Sequence, residues 1–307
     1  MDVTTTQSRD QAVLTTIGNH DYLAAIHRWW MDGGAPVSKH GAQYGLEAAA
    51  WEDLVQHLLA MGWVSLSGEA LSATHGEGWQ CLQALSELHR GYVRQPRPEK
   101  VRLFAHLQNA PRGAAADIGC GGGYITHRLA EMGFDPIYAY DLLPVSLAIT
   151  QIGAAASGGR VETFCTDATT LKEIPDASLS LMFSSGAMHY LNHRRHAPHI
   201  GRVLKPGGWL VTEQVGLEYY RQGRLYRDLK RARRVASSVL TLLRTFLYEI
   251  SGRQFRFGTS GYEVGWTHHS LKRFGRWANL RLVEIAPDTI TRGFTAVYQK
   301  PNEPTAQ

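Results

Sequence analysis

Ala114-Ala115-Ala116-Asp117-Ile118-Gly119-Cys120-Gly121-Gly122-Gly123-Tyr124 is a run of small apolar residues entering a glycine turn. Ile125-Thr126-His127-Arg128-Leu129-Ala130 follows it and continues as a helix would. Strand, glycine turn and helix in that order describe a ligand site as well as a fold element. Glycine lets the chain turn tightly and lets a ligand lie against backbone. The helix N-terminus beyond the turn presents N–H groups that the helix itself cannot satisfy. The spacing then narrows the ligand. A dinucleotide fingerprint reads G-x-G-x-x-G. Gly119, Gly121 and Gly123 read G-x-G-x-G instead, with Asp117 two residues ahead. A carboxylate at that place repels a pyrophosphate and suits an ammonium. There is no G-x-x-x-x-G-K-S/T run, so a P-loop is not supported.

Working outward, Phe134 to Asp141 reads as a second strand that ends in an acid. Asp141 lies 22 residues after Gly119, where a ribose-binding carboxylate stands in a βαβ unit. Val161 to Ala168 alternates and ends in Asp167-Ala168. Leu179 to Ser185 is apolar and closes on two serines, and Leu204-Lys205-Pro206-Gly207-Gly208 reads as a turn before a strand over Trp209 to Thr212.

Asp117 to Gly123, Asp141, Asp167-Ala168 and Leu204 to Gly208, in this order, resemble the motifs of class I S-adenosylmethionine-dependent methyltransferases. The resemblance covers residues 98–216 and 270–299, about half of the chain. It implies an α/β fold with a Rossmann-like, seven-stranded, mostly parallel sheet. It implies S-adenosyl-L-methionine as cofactor and S-adenosyl-L-homocysteine as product. It also implies roles. Asp117 helps hold the methionyl ammonium, and Gly119 and Gly121 let the cofactor lie on backbone, with Cys120 between them. Asp141 takes the ribose hydroxyls, with Leu142 beside it. Asp167 meets the adenine amino group, Ala168 offers a backbone N–H, and Ser184 borders the methionyl end. One departure is visible: the family usually carries an aspartate where Ser180 stands. That bears on the start of the strand, not on the cofactor residues.

The chain has 307 residues, 44% of them hydrophobic, enough for one large domain with a smaller companion. The first fifteen residues lack the apolar core of a signal peptide, and the best apolar run, Val239 to Leu243, is broken by Arg244. Cys81, Cys120 and Cys165 give neither a disulfide framework nor metal spacing. A cytoplasmic setting without membrane contact is therefore expected. The net charge of +5 is unevenly placed. Gly41 to Arg90 holds one basic residue, Arg90, against Glu47, Glu52, Asp53, Glu69, Glu77 and Glu87. Arg221 to Arg256 holds ten basic residues against Asp228 and Glu249.

Three regions follow: an N-terminal cap over 1–97, the methyltransferase-like domain over 98–216 and 270–300, and a basic helical insertion, or lid, over 217–269. The cap reads as mostly helical, with a helix end and a short hairpin over Met61 to Ser72. Helix, helix, hairpin, helix resembles a winged helix. Its acidity argues against DNA, which is held by Lys and Arg at phosphates. A winged helix of this kind in small-molecule methyltransferases implies a homodimer interface instead.

In the insertion, Leu225, Leu229, Ala232, Ala236, Val239, Leu243, Phe246, Leu247 and Ile250 recur at helical spacing. One long amphipathic helix, or two, is expected, with the arginines on much of the remaining surface. The charge suits an anionic acceptor, a small molecule or a peptide, and makes Tyr219, Arg231, Arg234 and His268 candidate substrate contacts. It equally suits docking on the acidic cap, so both readings stand. An RNA acceptor guided by the arginines is a further alternative, with few interleaved aromatics to support it.

Methyl transfer from a sulfonium is an in-line displacement in which alignment matters most. A base helps when the acceptor is a hydroxyl and less when it is a carboxylate. His189, in Gly186-Ala187-Met188-His189-Tyr190-Leu191, is the first candidate for that base, with Tyr190 and Glu213 as alternatives. His189, His193, His196 and His199 share helical spacing, but no acid accompanies them, so a solvated helix face rather than a metal site is expected. The reading is an O-methyltransferase of a small metabolite or peptide-like biosynthetic intermediate, with N- or C-methylation as alternatives.

Overall fold

The computed structural model describes residues 3–74, 76–94, 98–217, 220, 232–256, 262–288 and 293–302. The chain divides into two compact units, one formed by residues 1–96, 120–132 and 141–165, the other by 97–119, 133–140 and 166–307.

In the first unit, α1 (Val3–Gly18) leads to Asn19, whose side chain accepts from the N–H groups of Asp21 and Tyr22 and so starts α2 (His20–Met31). Tyr22, Leu23, Ala25, Ile26 and Trp29 form one buried face of α2. Trp29 and Trp51 are fully buried, and each places its indole N–H on a backbone carbonyl, Ala35 at 2.8 Å and Ser38 at 3.0 Å. Truncating an aromatic ring buried in this way costs about 3–5 kcal/mol. The strand β1 (Val37–Ser38) precedes α3 (Ala48–Ala60). The hairpin expected near Met61 is present as β2 (Val64–Ser67) and β3 (Ala70–Ala73), in a small antiparallel sheet of order β1-β3-β2. The long helix α4 (Glu77–Arg94) buries Cys81, Leu82, Leu85 and Leu88 along one face.

The remaining elements run α5 (Pro98–Asn109), β4 (Ala114–Ile118), α6 (Tyr124–Glu131), β5 (Ile137–Asp141), α7 (Pro144–Ala156), β6 (Val161–Cys165) and β7 (Leu179–Ser185). A single 3-10 turn, Met188–Tyr190, leads into α8 (His193–Val203) and β8 (Leu204–Gln214). After it come α9 (Ala232–Ser251), α10 (His268–Trp277), β9 (Arg281–Asp288) and β10 (Gly293–Gln299). The large sheet has seven strands in the order β6-β5-β4-β7-β8-β10-β9. β4 pairs in parallel with β5 and β7, and β7 with β8, while β10 runs antiparallel to β8 and β9. This is the expected Rossmann-like, mostly parallel α/β sheet. β4 lies between β5 and β7, so the strand order reverses there, and a sheet of this kind opens its ligand crevice at such a reversal, beyond the strands' carboxyl ends.

Two local outcomes differ from expectation. Leu204 to Gly208 is not a separate turn but the irregular start of β8. Leu179 pairs with Leu204 and Leu181 already pairs with Trp209, so the intervening β8 residues bulge, with Gly207 at a φ of 75°. The apolar stripe of the insertion faces outward. Val239, Leu243, Phe246 and Ile250 of α9 are exposed, whereas Ser238, Thr241, Arg244, Thr245 and Tyr248 are buried. Hydrogen bonds permit this inversion. Thr245 donates to the Thr241 carbonyl at 2.7 Å and accepts from Gly265 N–H at 2.8 Å. Leu225 and Leu229, expected in the same stripe, lie outside the described residues.

Candidate active site

The glycine turn is built by backbone that a side chain would obstruct. Gly119 has a φ of 72°, and a Cβ there would lie 2.3 Å from the Ala187 Cβ. Gly121 has a φ of 54°, and a Cβ there would lie 2.8 Å from Glu87 Oε2. Both positions need glycine for conformation and for close approach. Gly119 N–H donates to the Tyr140 carbonyl at 2.8 Å, which fixes the exit of β4 against β5.

Within the first unit, Asp141 braces the turn. Its Oδ2 accepts from Gly121 N–H at 2.9 Å and its Oδ1 from Leu143 N–H at 2.9 Å. A carboxylate oxygen has two lone pairs, so each retains capacity for a hydroxyl. Thr150 of α7 donates from Oγ1 towards the Gly121 carbonyl at 3.1 Å and supports the turn from below. Cys120 is buried, with its Sγ 3.8 Å from Thr150 Oγ1. Leu142 is 69% exposed, an apolar surface beside Asp141.

Glu87 is a neighbour of this turn that sequence reasoning missed. It stands on α4, more than thirty residues upstream, where no motif marks it. Burial raises its pKa, and Asp141 adds to the rise, while Gln83, at 3.1 Å, and Arg90 oppose it. The same helix packs on the turn through Ala84 and Leu88, which leave no room for a Cβ at Gly122.

The second unit carries the other predicted residues. Asp117, near the end of β4, is 2% exposed. Asp167 is exposed and accepts from Thr169 N–H at 2.7 Å, next to the buried Ala168. Ser184 is fully buried and donates to the Ile118 carbonyl at 3.0 Å, so its hydroxyl proton is committed to the sheet. Ser180 donates to the Arg112 carbonyl at 3.2 Å, a strand-start contact that needs no carboxylate.

The candidate bases follow β7. His189 is 5% exposed, and its Nδ1 has no hydrogen-bond partner among the described residues. Burial lowers its pKa to about 4, so the imidazole is neutral at pH 7. Tyr190 is 53% exposed, with its ring 3.9 Å from that of His189. Glu213, at the end of β8, accepts from Ser185 Oγ at 2.7 Å. His193 and His196 are fully buried rather than solvated. His193 sits 2.9 Å from both Tyr248 Oη and the Met188 carbonyl, and stacks on Trp266 at 4.2 Å. His196 Nδ1 lies 3.2 Å from the Thr169 carbonyl. Backbone and ring partners make these two histidines structural.

Among the candidate substrate contacts, His268 is exposed at the first position of α10, its ring 4.8 Å from Phe294. Arg234 lies in the first turn of α9, but its side chain, like all of Tyr219 and Arg231, lies outside the described residues.

Residues 115–208 match the family described as a methyltransferase domain. That stretch, under a third of the chain, holds the glycine turn and is consistent with a class I, S-adenosylmethionine-dependent methyltransferase domain. Two curated relatives each match about a third of the chain. One is an uncharacterised methyltransferase of Mycobacterium tuberculosis, 32% identical over 96 residues, covering 31% of this chain and 36% of the relative. The other is a malonyl-[acyl-carrier protein] O-methyltransferase of Hahella chejuensis, 33% identical over 97 residues, covering 31% and 34%. The matched region thus spans about a third of the length of each relative. Among solved structures, an S-adenosylmethionine-dependent methyltransferase from Mesorhizobium loti is similar at 18% identity and a TM-score of 0.48, covering 66% of this chain and 97% of that one. The N-methyltransferase NodS of Bradyrhizobium japonicum, solved with S-adenosyl-L-homocysteine, is similar at 15% identity and a TM-score of 0.43, covering 68% and 91%.

The residues present fit this cofactor. The turn at Gly119 and Gly121 is a cradle that a Cβ would fill. Asp141 is held by two backbone N–H groups with lone pairs to spare for a diol.

Proposed function

We propose that this chain methylates an oxygen of a small acid, forming a methyl ester on the acceptor's carboxylate. Gly119, Gly121, Asp117, Asp141, Asp167 and Ala168 are the residues that would hold the cofactor. When bound, S-adenosylmethionine supplies a methyl group activated as a sulfonium, so the acceptor oxygen's lone pair forms the new C–O bond while the C–S pair returns to sulfur. The chain's own task is then to orient the acceptor and to exclude water.

The observation that carries the choice of acceptor is the state of His189. A general base works best with a pKa near the operating pH. Burial holds His189 at about 4, well below that. A carboxylate is ionised at neutral pH and has no proton to give up. His189 then serves as a neutral hydrogen-bonding group, its Nδ1 available to the acceptor. The O-methyltransferase among the relatives supports oxygen as the methylated atom. The acceptor reading is tested with methyl-labelled S-adenosylmethionine and paired acids and alcohols. Label should enter the acids and be released by mild alkali. Label confined to alcohols, amines or carbon would overturn it.

A further inference from the structure

Arg244 lies at the middle of α9, fully buried, and none of its three guanidinium nitrogens has a hydrogen-bond partner among the described residues. An arginine does not lose its proton in a protein. A buried charge without a counter-ion is disfavoured unless something compensates it. Arg273 of α10 shows how the same fold treats a structural arginine. Its two terminal nitrogens donate to the carbonyls of Glu249 at 3.0 Å and Tyr248 at 2.9 Å, and its guanidinium lies 4.3 Å from the Tyr248 ring centre. Among the described residues, Arg244 has none of these arrangements.

Its position supplies the second observation. The neighbouring Thr245 accepts from Gly265 N–H at 2.8 Å. Trp266 N–H donates to the Val215 carbonyl at 3.0 Å, just past the end of β8, and Val264 N–H to the His189 carbonyl at 3.4 Å. The segment 264–266 therefore ties the Arg244 turn of α9 to the carboxyl end of β8 and to the turn after β7. The linked segments carry other buried polar atoms without partners among the described residues: Ser238 Oγ on α9, both ends of the Gln214 amide at the end of β8, Trp266 Nε1, and His189 Nδ1 in the turn after β7. The buried acids nearby are engaged by hydroxyls, Glu263 by Tyr220 at 2.8 Å and Glu213 by Ser185 at 2.7 Å. What remains, among the described residues, is a buried guanidinium without a hydrogen-bonded anion and a set of unpartnered polar atoms that includes several donors.

We infer that Arg244 is the anchor for the acceptor's carboxylate, with Ser238, Gln214 and Trp266 as accessory hydrogen-bonding groups. This deepens the proposed function and rests on it. It moves the anion-binding role from Arg231 and Arg234, the candidates read from the sequence, to an arginine on the buried face of α9. The guanidinium fork matches a planar carboxylate. Esterification would remove the charge that Arg244 recognises, so the same contact that holds the acid lets the ester go. Val239, Leu243, Phe246 and Ile250 on the opposite side of α9 play no part in it.

The test uses the full chain saturated with S-adenosyl-L-homocysteine and four probes: acetate, benzoate, acetamide and benzamide. The acids should raise the melting temperature and the neutral amides should not. Arg244→Met should lose the shift, keep its affinity for S-adenosyl-L-homocysteine, and melt at or above the wild-type temperature, since an unpaired buried charge has been removed. Arg244→Lys should keep only part of the shift. The inference is overturned by an equal shift in Arg244→Met, by no shift with either acid in the wild type, or by a fall in melting temperature of Arg244→Met without ligand. Failure of S-adenosyl-L-homocysteine to bind the wild type would instead strike the methyltransferase reading itself.

Discussion

Asp141→Asn changes a single oxygen into an NH2 and leaves shape almost untouched. In the protein, each carboxylate oxygen receives one backbone N–H at 2.9 Å, from Gly121 and from Leu143. An asparagine can accept only one of these. The other N–H then faces a donor, which costs about 1–3 kcal/mol of stability for a buried group and less at this half-buried position. The effect on the cofactor is larger. Each hydrogen bond to a charged group contributes about 1.5–3 kcal/mol. A ribose diol placed on Asp141 uses two, and the asparagine offers neither the charge nor the second acceptor. A loss of about 3–5 kcal/mol follows, two to four orders of magnitude in dissociation constant. Isothermal titration with S-adenosyl-L-homocysteine reads this directly, with circular dichroism to confirm that the sheet persists. A folded variant whose affinity stays within about threefold of wild type would refute the role given to Asp141.

Three further outcomes are expected. Glu87→Gln removes a carboxylate whose burial and proximity to Asp141 raise its pKa, so the melting temperature should hold or rise; a marked fall would give Glu87 a structural role. His189→Gln should reduce turnover of a carboxylate acceptor by less than about tenfold and leave the rate flat between about pH 6 and 8, whereas loss of a true general base costs about a hundredfold or more. His127, His189 and His196 have pKa values lowered to about 4, and His193 to about 3, all chiefly by burial. Folding then favours their neutral forms. That stability is intact above about pH 6.5 and is lost as pH falls towards 4. At pH 5 each contributes about 2 kcal/mol of loss, and urea midpoints at pH 7 and pH 5 should differ accordingly; equal midpoints would contradict it.

The glycine turn was legible because its physics is local. Strand, positive-φ glycine and helix start are all set within ten residues, and Asp141 follows at a spacing fixed by one βαβ unit. Leu179 to Ser185 matches β7 residue for residue for the same reason. What failed needed tertiary information. The periodicity of α9 has two candidate faces, and apolarity chose the wrong one, because Thr245 on the buried face is held by the Thr241 carbonyl and Gly265 N–H, contacts that a helix's own pattern cannot show. His193 and His196 looked solvated because their partners, Tyr248, Trp266 and Thr169, lie far away in sequence or on another element. Glu87 and Arg244 carry no motif; one is marked by its approach to Gly121 and the other by guanidinium nitrogens without partners among the described residues.

The turn from Gly119 to Gly123, with Asp141, fits adenosylmethionine and not a dinucleotide. Calorimetric titration of the wild-type chain with S-adenosyl-L-homocysteine and, separately, with NADH decides it. One-to-one binding of S-adenosyl-L-homocysteine and none of NADH is the expected result. Binding of NADH in its place, or of neither, would contradict it.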